Sequence, residues 1–139
     1  MADMWPLIHE VFEGGGRFRL FPRGSSMLPL IRPEKDSVLL EPPSEIKKHD
    51  ILLYRRANGQ FVLHRLMFFE GEDLVMCGDH QVYLERHIPR EAVLARVAGI
   101  YFDEKYLVSE HPSLRRYARR RAFSRPFRRI FSAIKRRIF

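Results

Sequence analysis

The sequence predicts a mainly β fold: a small folded sheet or barrel, with a short N-terminal helix and a basic amphipathic helix at its C-terminal end. Two observations carry this expectation. Short apolar runs recur at close spacing, each closed by Gly, Pro or Asn, with no helical pattern between them of the kind a parallel sheet needs. The charge is also split along the chain. Residues 112–139 hold eleven Lys and Arg and no acid, whereas residues 1–111 hold 14 basic against 17 acidic residues, a net of −3.

The elements follow in order. Leu7, Ile8, Val11 and Phe12 fall at helical spacing, and Gly14-Gly15-Gly16 stops that helix, which is expected to cover one side of the sheet. Arg17 to Phe21 alternates basic and apolar residues as a half-buried strand does, and the segment from Ser25 to Pro33 reads as a turn-rich connection. Val38-Leu39-Leu40 is a short strand ended by Pro42-Pro43. Ile51 to Tyr54 is the next, and Asn58-Gly59, a favoured two-residue hairpin turn, joins it to a strand over Phe61 to Phe69 that contains His64. Asp73 to Met76 pairs next, Gly78-Asp79 turns the chain, and Ala92 to Phe102 closes the sheet with Gly99 at a bulge. In the tail, Phe123, Phe127, Ile130, Phe131, Ile134 and Ile138 share one helical stripe. Arg128, Arg129 and their basic neighbours occupy most of the rest, and Ser124 is placed as the cap with Pro126 in the first turn. The organisation read from this is a β domain over residues 1–111, its core spanning 18–102, and a helical tail over 112–139.

At 139 residues, 45% of them hydrophobic and 30% charged, the chain has the composition of one globular domain and not of a disordered one. Its single cysteine, Cys77, forms no internal disulfide and offers no metal-ligand spacing, so it reads as a small buried hydrophobe, and neither metal nor cofactor is expected. No window approaches the ~18 apolar residues of a membrane span, and Met1 to Pro6 lacks a basic leader ahead of an apolar run. The expected location is cytoplasmic, with a peripheral position at the inner face of the membrane if the tail binds lipid.

Two residues offer chemistry. Ser26 follows Gly24-Ser25 on a turn, where a hydroxyl is exposed and backbone N–H groups are free to face an oxyanion. His64 is the one polar position in Phe61-Val62-Leu63-His64, and an imidazole near its ordinary pKa of ~6.5 takes a serine proton at neutral pH. Singly, each has an ordinary reading, a plain loop serine and a solvent-facing strand histidine.

Their order and context change that reading. Gly24-Ser25-Ser26-Met27-Leu28-Pro29 resembles the nucleophile motif of the signal peptidase I and LexA superfamily of serine peptidases. Asp36 to Leu40 and Lys48 to Tyr54 resemble that family's two Gly-Asp-led strands, with Lys35 and His49 in place of the glycines. Val62 to Leu66 is similar to its general-base strand, Gly78-Asp79-His80 to its Gly-Asp-Asn box, and Val93 to Ile100 to its last strand. The resemblance covers residues 18–102 and implies a LexA- and signal-peptidase-like β fold. The base is His, as in the endoplasmic-reticulum and archaeal type, not the Lys of bacterial enzymes. It implies Ser26 as nucleophile, His64 as base and Asp79 as the acidic residue that assists, with Glu85 in reserve. Gly24, Ser25, Met27 and Pro29 position the nucleophile. Gly24 stands where the family places an oxyanion-hole serine, so the hole rests on backbone N–H groups, principally that of Ser26, and Leu30 stands where Thr is common. The usual N-terminal anchor is not seen, which implies a minimal core.

The activity this implies is that of a serine endopeptidase cutting a peptide or leader segment by a Ser–His mechanism, held at an anionic membrane surface by its tail. One alternative is a non-catalytic binding module whose basic tail takes membrane or nucleic acid, nucleic acid being the less favoured because an apolar stripe opposite arginines suits an interfacial helix. Another is a LexA-like regulator that cleaves itself. For that, the Ala-Gly or Cys-Gly bond should precede the nucleophile, and here Ala98-Gly99 and Cys77-Gly78 follow it.

Overall fold

A computed structural model describes the backbone of residues 4–138 and the side chains of residues 4–132. It is mainly β, with an antiparallel eight-stranded sheet between two helices. Helix α1 (Trp5–Glu13) is followed by β1 (Phe18–Leu20), β2 (Asp36–Glu41), β3 (Ile51–Arg55), β4 (Phe61–Glu70), β5 (Asp73–Cys77), β6 (Glu85–Ile88), β7 (Val93–Phe102), β8 (Lys105–Val108) and α2 (Pro112–Ile138). The strand order is β1-β2-β7-β3-β4-β5-β6, and β8 pairs with the second half of β7. The long strand β7 is therefore the spine. It pairs with β2 from Arg96 to Phe102, and its other edge takes β3 first and β8 afterwards.

Alternation along β3 and β4 divides the interior into two cores. Ile51, Leu53 and Leu63 face one, with Ile8 of α1, Leu20, Met27 and Ile31; Leu52, Tyr54, Val62 and Leu66 face the other, with Leu74 and Met76. Each fully buried aliphatic side chain contributes about 1.5–3 kcal/mol relative to an exposed one. Because successive strand residues point to opposite faces, both faces of the β3–β4 hairpin are apolar, and the sheet must fold over to cover them. Cys77 lies buried at the end of β5.

Two buried aspartates brace the loops. Asp36 accepts from the Arg32 backbone and guanidinium at 2.8–2.9 Å and from the Asp103 N–H at 3.1 Å, closing the 22–35 connection against the β7–β8 turn. Asp50 accepts from Lys47 N–H at 2.8 Å, from Arg96 of β7 at 2.9 Å and from Arg115 of α2 at 2.8 Å. The pairing of β2 with β7 shifts register beside Gly99, where a bulge was expected. Gly99 also leaves room for Tyr106, whose hydroxyl sits 2.1 Å from where a β-carbon would be.

The structure differs from the sequence reading in three elements. Strands β6 and β8 were not expected, being short and half polar. Helix α2 does not start at Ser124: it runs without interruption from Pro112, with Pro126 in its interior. Ser124 is not a cap, and its hydroxyl donates instead to the Arg121 carbonyl at 3.0 Å. The N-terminal half of α2 is held by packing, through half-buried Leu114 and fully buried Ala118, which overrides the local preference for a start at Ser124-Arg125-Pro126.

Candidate active site

Between β1 and β2 the chain makes the turn that carries Ser26. Gly24 has φ 84°, in the left-handed region that glycine enters without steric cost. Met27 and Ile31 then plunge into the first core, and their backbones join through an Ile31 N–H to Met27 carbonyl bond of 3.0 Å. Ser25 accepts from the Leu28 N–H at 3.1 Å, and the Leu28–Pro29 peptide is cis. Ser26 is left half-buried on this anchored turn. Among the described residues neither its hydroxyl nor its N–H has a protein partner, while its carbonyl accepts from the His80 N–H at 2.9 Å.

His64 lies on β4, 3% exposed, on the same face as Tyr54 of β3. The Tyr54 hydroxyl donates to Glu85 Oε1 at 2.6 Å, so its oxygen is an acceptor for His64 Nδ1, 3.2 Å away. That fixes the tautomer: the proton sits on Nδ1 and the lone pair on Nε2. Arg56 clasps Glu85 from the other side, at 2.9 and 3.0 Å. Burial pushes the His64 pKa down to about 4, against the opposing pull of Glu85 and, more weakly, Asp79, so the ring is neutral at pH 7. Burial pushes the Tyr54 phenol well above its usual range, with Glu85 adding to it, so it keeps its proton. For Glu85 itself, burial raises the pKa, but the bonds from Arg56 and Tyr54 outweigh it and leave a carboxylate.

Gly78 is where the two halves meet. A β-carbon there would lie 2.5 Å from the Ser26 carbonyl oxygen and 3.1 Å from His64 Cδ2, the carbon bonded to Nε2. The serine turn and the far edge of the imidazole thus pack on one glycine, and Ser26, His64 and Gly24 line one cavity of about 230 Å³. Its other walls include apolar Met27, Ile31 and Phe61 and polar Arg56, Gln60 and Gln81.

Asp79 requires a correction. Expected to orient His64, it instead accepts a two-point contact from Arg65 at 2.7 and 2.8 Å, both side chains buried. A carboxylate so buried is satisfied by a guanidinium fork, and its influence on His64 is electrostatic only. The reserve residue Glu85 is the one that reaches the imidazole, through Tyr54. Sequence reasoning missed Tyr54 because Ile51-Leu52-Leu53-Tyr54 reads as an apolar strand. The hairpin in fact turns through three residues, Ala57-Asn58-Gly59, with Arg56 paired to Gln60, and this sets Tyr54 opposite Val62 and so diagonal to His64. The expected two-residue turn at Asn58-Gly59 would have put Tyr54 opposite Leu63, on the other face, so the sequence held no signal for it.

The tail lies against this site with its basic side inward. Arg65 sits under Tyr117, and Arg121, Arg125 and Arg128 donate to the carbonyls of Asp79, Val82 and Gln81 at 2.8–3.1 Å. Phe123, Phe127, Ile130 and Phe131 face outward and are exposed, with Arg129 stacked on Tyr83. The side chains of Ile134 and Ile138, which the sequence puts on the same stripe, lie outside the described residues. Among the described residues no three His, Cys, Asp or Glu side chains converge as a metal site, and no helix is long and apolar enough to cross a membrane. Compared with family models, with curated proteins and with solved structures, the chain finds no match in any of the three.

Proposed function

We propose that this chain is a serine endopeptidase with a signal-peptidase- and LexA-like fold, acting on a peptide or leader segment. The observation that carries the reading is the convergence of Ser26 and His64, from separate elements, on one cavity, with the His64 lone pair directed to Nε2 by Tyr54 and Glu85. In this mechanism the Ser26 hydroxyl attacks the scissile carbonyl while Nε2 takes its proton. The imidazolium so formed is held by the Glu85 carboxylate acting through Tyr54. The tetrahedral oxyanion is met by the unengaged Ser26 N–H. Collapse breaks the C–N bond, and Nε2 returns the proton to the leaving amine. Water, deprotonated by the same nitrogen, then releases the acyl group from Ser26.

The resemblance to that family implies a small residue next to the cut, and the cavity of about 230 Å³ beside Ser26 and His64 is where its side chain would sit. Self-cleavage has less support, because Ala98-Gly99 is fixed in β7 and Cys77-Gly78 joins the buried end of β5 to the packed turn. The test is covalent labelling of the full chain with a serine-reactive acylating probe. One adduct on Ser26, lost in Ser26→Ala, is expected. Folded protein that takes no adduct, or labelling that survives Ser26→Ala, overturns the reading in favour of a binding module.

A further inference from the structure

Helix α2 is docked the wrong way round for an ordinary amphipathic helix. Such helices bury the apolar stripe and leave charges in water. Here Leu114, Ala118, Arg121, Arg125 and Arg128 form the inward arc, the arginines reaching backbone carbonyls of the 79–82 turn. The apolar residues lie about half a helical turn away, with Phe123 76%, Phe127 61%, Ile130 58% and Phe131 68% exposed. The stripe cannot roll inward without breaking the arginine bonds. It is not surface left over from folding; it is a face held outward.

We propose that this outward face docks on the surface of an anionic lipid bilayer. Charge complementarity selects that occupant. Arg116, Arg119 and Arg120 are exposed one or two turns before the stripe and make no ion pair among the described residues, and the helix contains no acid to offset them. Three phenylalanines and an isoleucine have no groups with which to read a polar partner, but they match the acyl–headgroup boundary, while the arginines match lipid phosphate. Nucleic acid would neutralise the arginines and leave the four apolar side chains in water. A second copy would set like charges against one another. The inner face of the same helix grips the turn whose Gln81 lines the Ser26–His64 cavity, so a docked helix keeps that cavity close to the lipid. The inference stands on the helix alone and does not depend on Ser26 being active.

The experiment is co-sedimentation of the full chain with vesicles of phosphatidylcholine, with and without phosphatidylglycerol. Binding at least ~10-fold tighter to the anionic vesicles is expected, weakened by salt. Phe127→Ser with Phe131→Ser should lose most of it at unchanged Tm, since neither ring packs inside, and Arg119→Glu with Arg120→Glu should also weaken it. Should the double serine variant unfold, Phe127→Trp decides: on anionic vesicles its emission should shift to the blue and be quenched by lipids brominated in the acyl chains. Unshifted Trp emission, or full binding by a folded double serine variant, overturns the proposal. So does a parent chain that ignores vesicles and uses these phenylalanines to dimerise or to bind duplex RNA.

Discussion

His64 can act as a base only while the lone pair stays on Nε2, and Tyr54 is the group that decides this. Its one proton is committed to Glu85 at 2.6 Å, which leaves only an acceptor for Nδ1. Tyr54→Phe removes that acceptor and cuts the link to the carboxylate, so the ring is free to adopt the other tautomer. Acylation of Ser26 by the probe should slow roughly 10–100-fold, a part of the ~10²–10⁴-fold that a positioned general base contributes, while labelling stays on Ser26. The parent's rate should be level from pH 7 to about 5 and fall by half near 4, because burial holds the His64 pKa down to about 4. Parent-like rates in Tyr54→Phe, or a midpoint near pH 6.5, would show that the buried chain behind the ring does no positioning. At this scale Ser26 and His64 were legible because their residue types stand in a recognisable order. The acidic partner was not: Asp79 fits the motif, but Arg65, adjacent to the histidine in sequence, competes for it and wins through a two-point buried contact.

Between residues and the whole lie the turns and helices that hold them, and Gly78 is the most constrained of these points. The Ser26 carbonyl that a new methyl would meet at 2.5 Å is backbone, fixed by its bond to the His80 N–H, and cannot swing aside as a side-chain tip could. Gly78→Ala should therefore push the serine turn away from His64. The expected result is a probe-labelling rate at least ~10-fold lower with a loss of about 1–3 kcal/mol in stability. A variant that labels and melts like the parent would mean the turn is soft, and that the approach of Ser26 to His64 is not set there. Most strands were legible from apolar runs and turn residues, and α1 from its spacing. The extent of α2 was not, because Ser124 and Pro126 mimic a helix start. The residues that extend the helix back to Pro112 act by contacts with distant parts of the chain, Arg115 with Asp50 and Tyr117 with Arg65.

Over the molecule as a whole, the split between a net −3 body and an eleven-charge tail suggested that the tail's charge serves an anionic partner. Much of that charge instead turns inward, to Asp50, Glu110 and the carbonyls of the 79–82 turn, and the apolar stripe is what faces out. The buried ionisable groups then set how stability depends on pH. Folded His64 titrates at about 4 and an unfolded histidine at about 6.5, so between those values the unfolded chain binds a proton that the folded one excludes. The His64 contribution is complete above pH ~6.5 and is lost as the pH falls toward 4. By pH 4.5 this amounts to about 2–3 kcal/mol. His49, whose pKa burial also lowers, acts in the same direction. Glu85, Asp36 and Glu110, all held below the usual carboxylate range, add their losses at lower pH. Urea unfolding at pH 7, 6, 5 and 4.5 should show the parent weakening steadily, and His64→Phe, which fills the site with a ring that cannot titrate, weakening distinctly less. The two curves should converge by about 2–3 kcal/mol over that range. Parallel curves would mean that His64 titrates alike in the folded and unfolded chain, and the dry environment assigned to the imidazole would then be wrong.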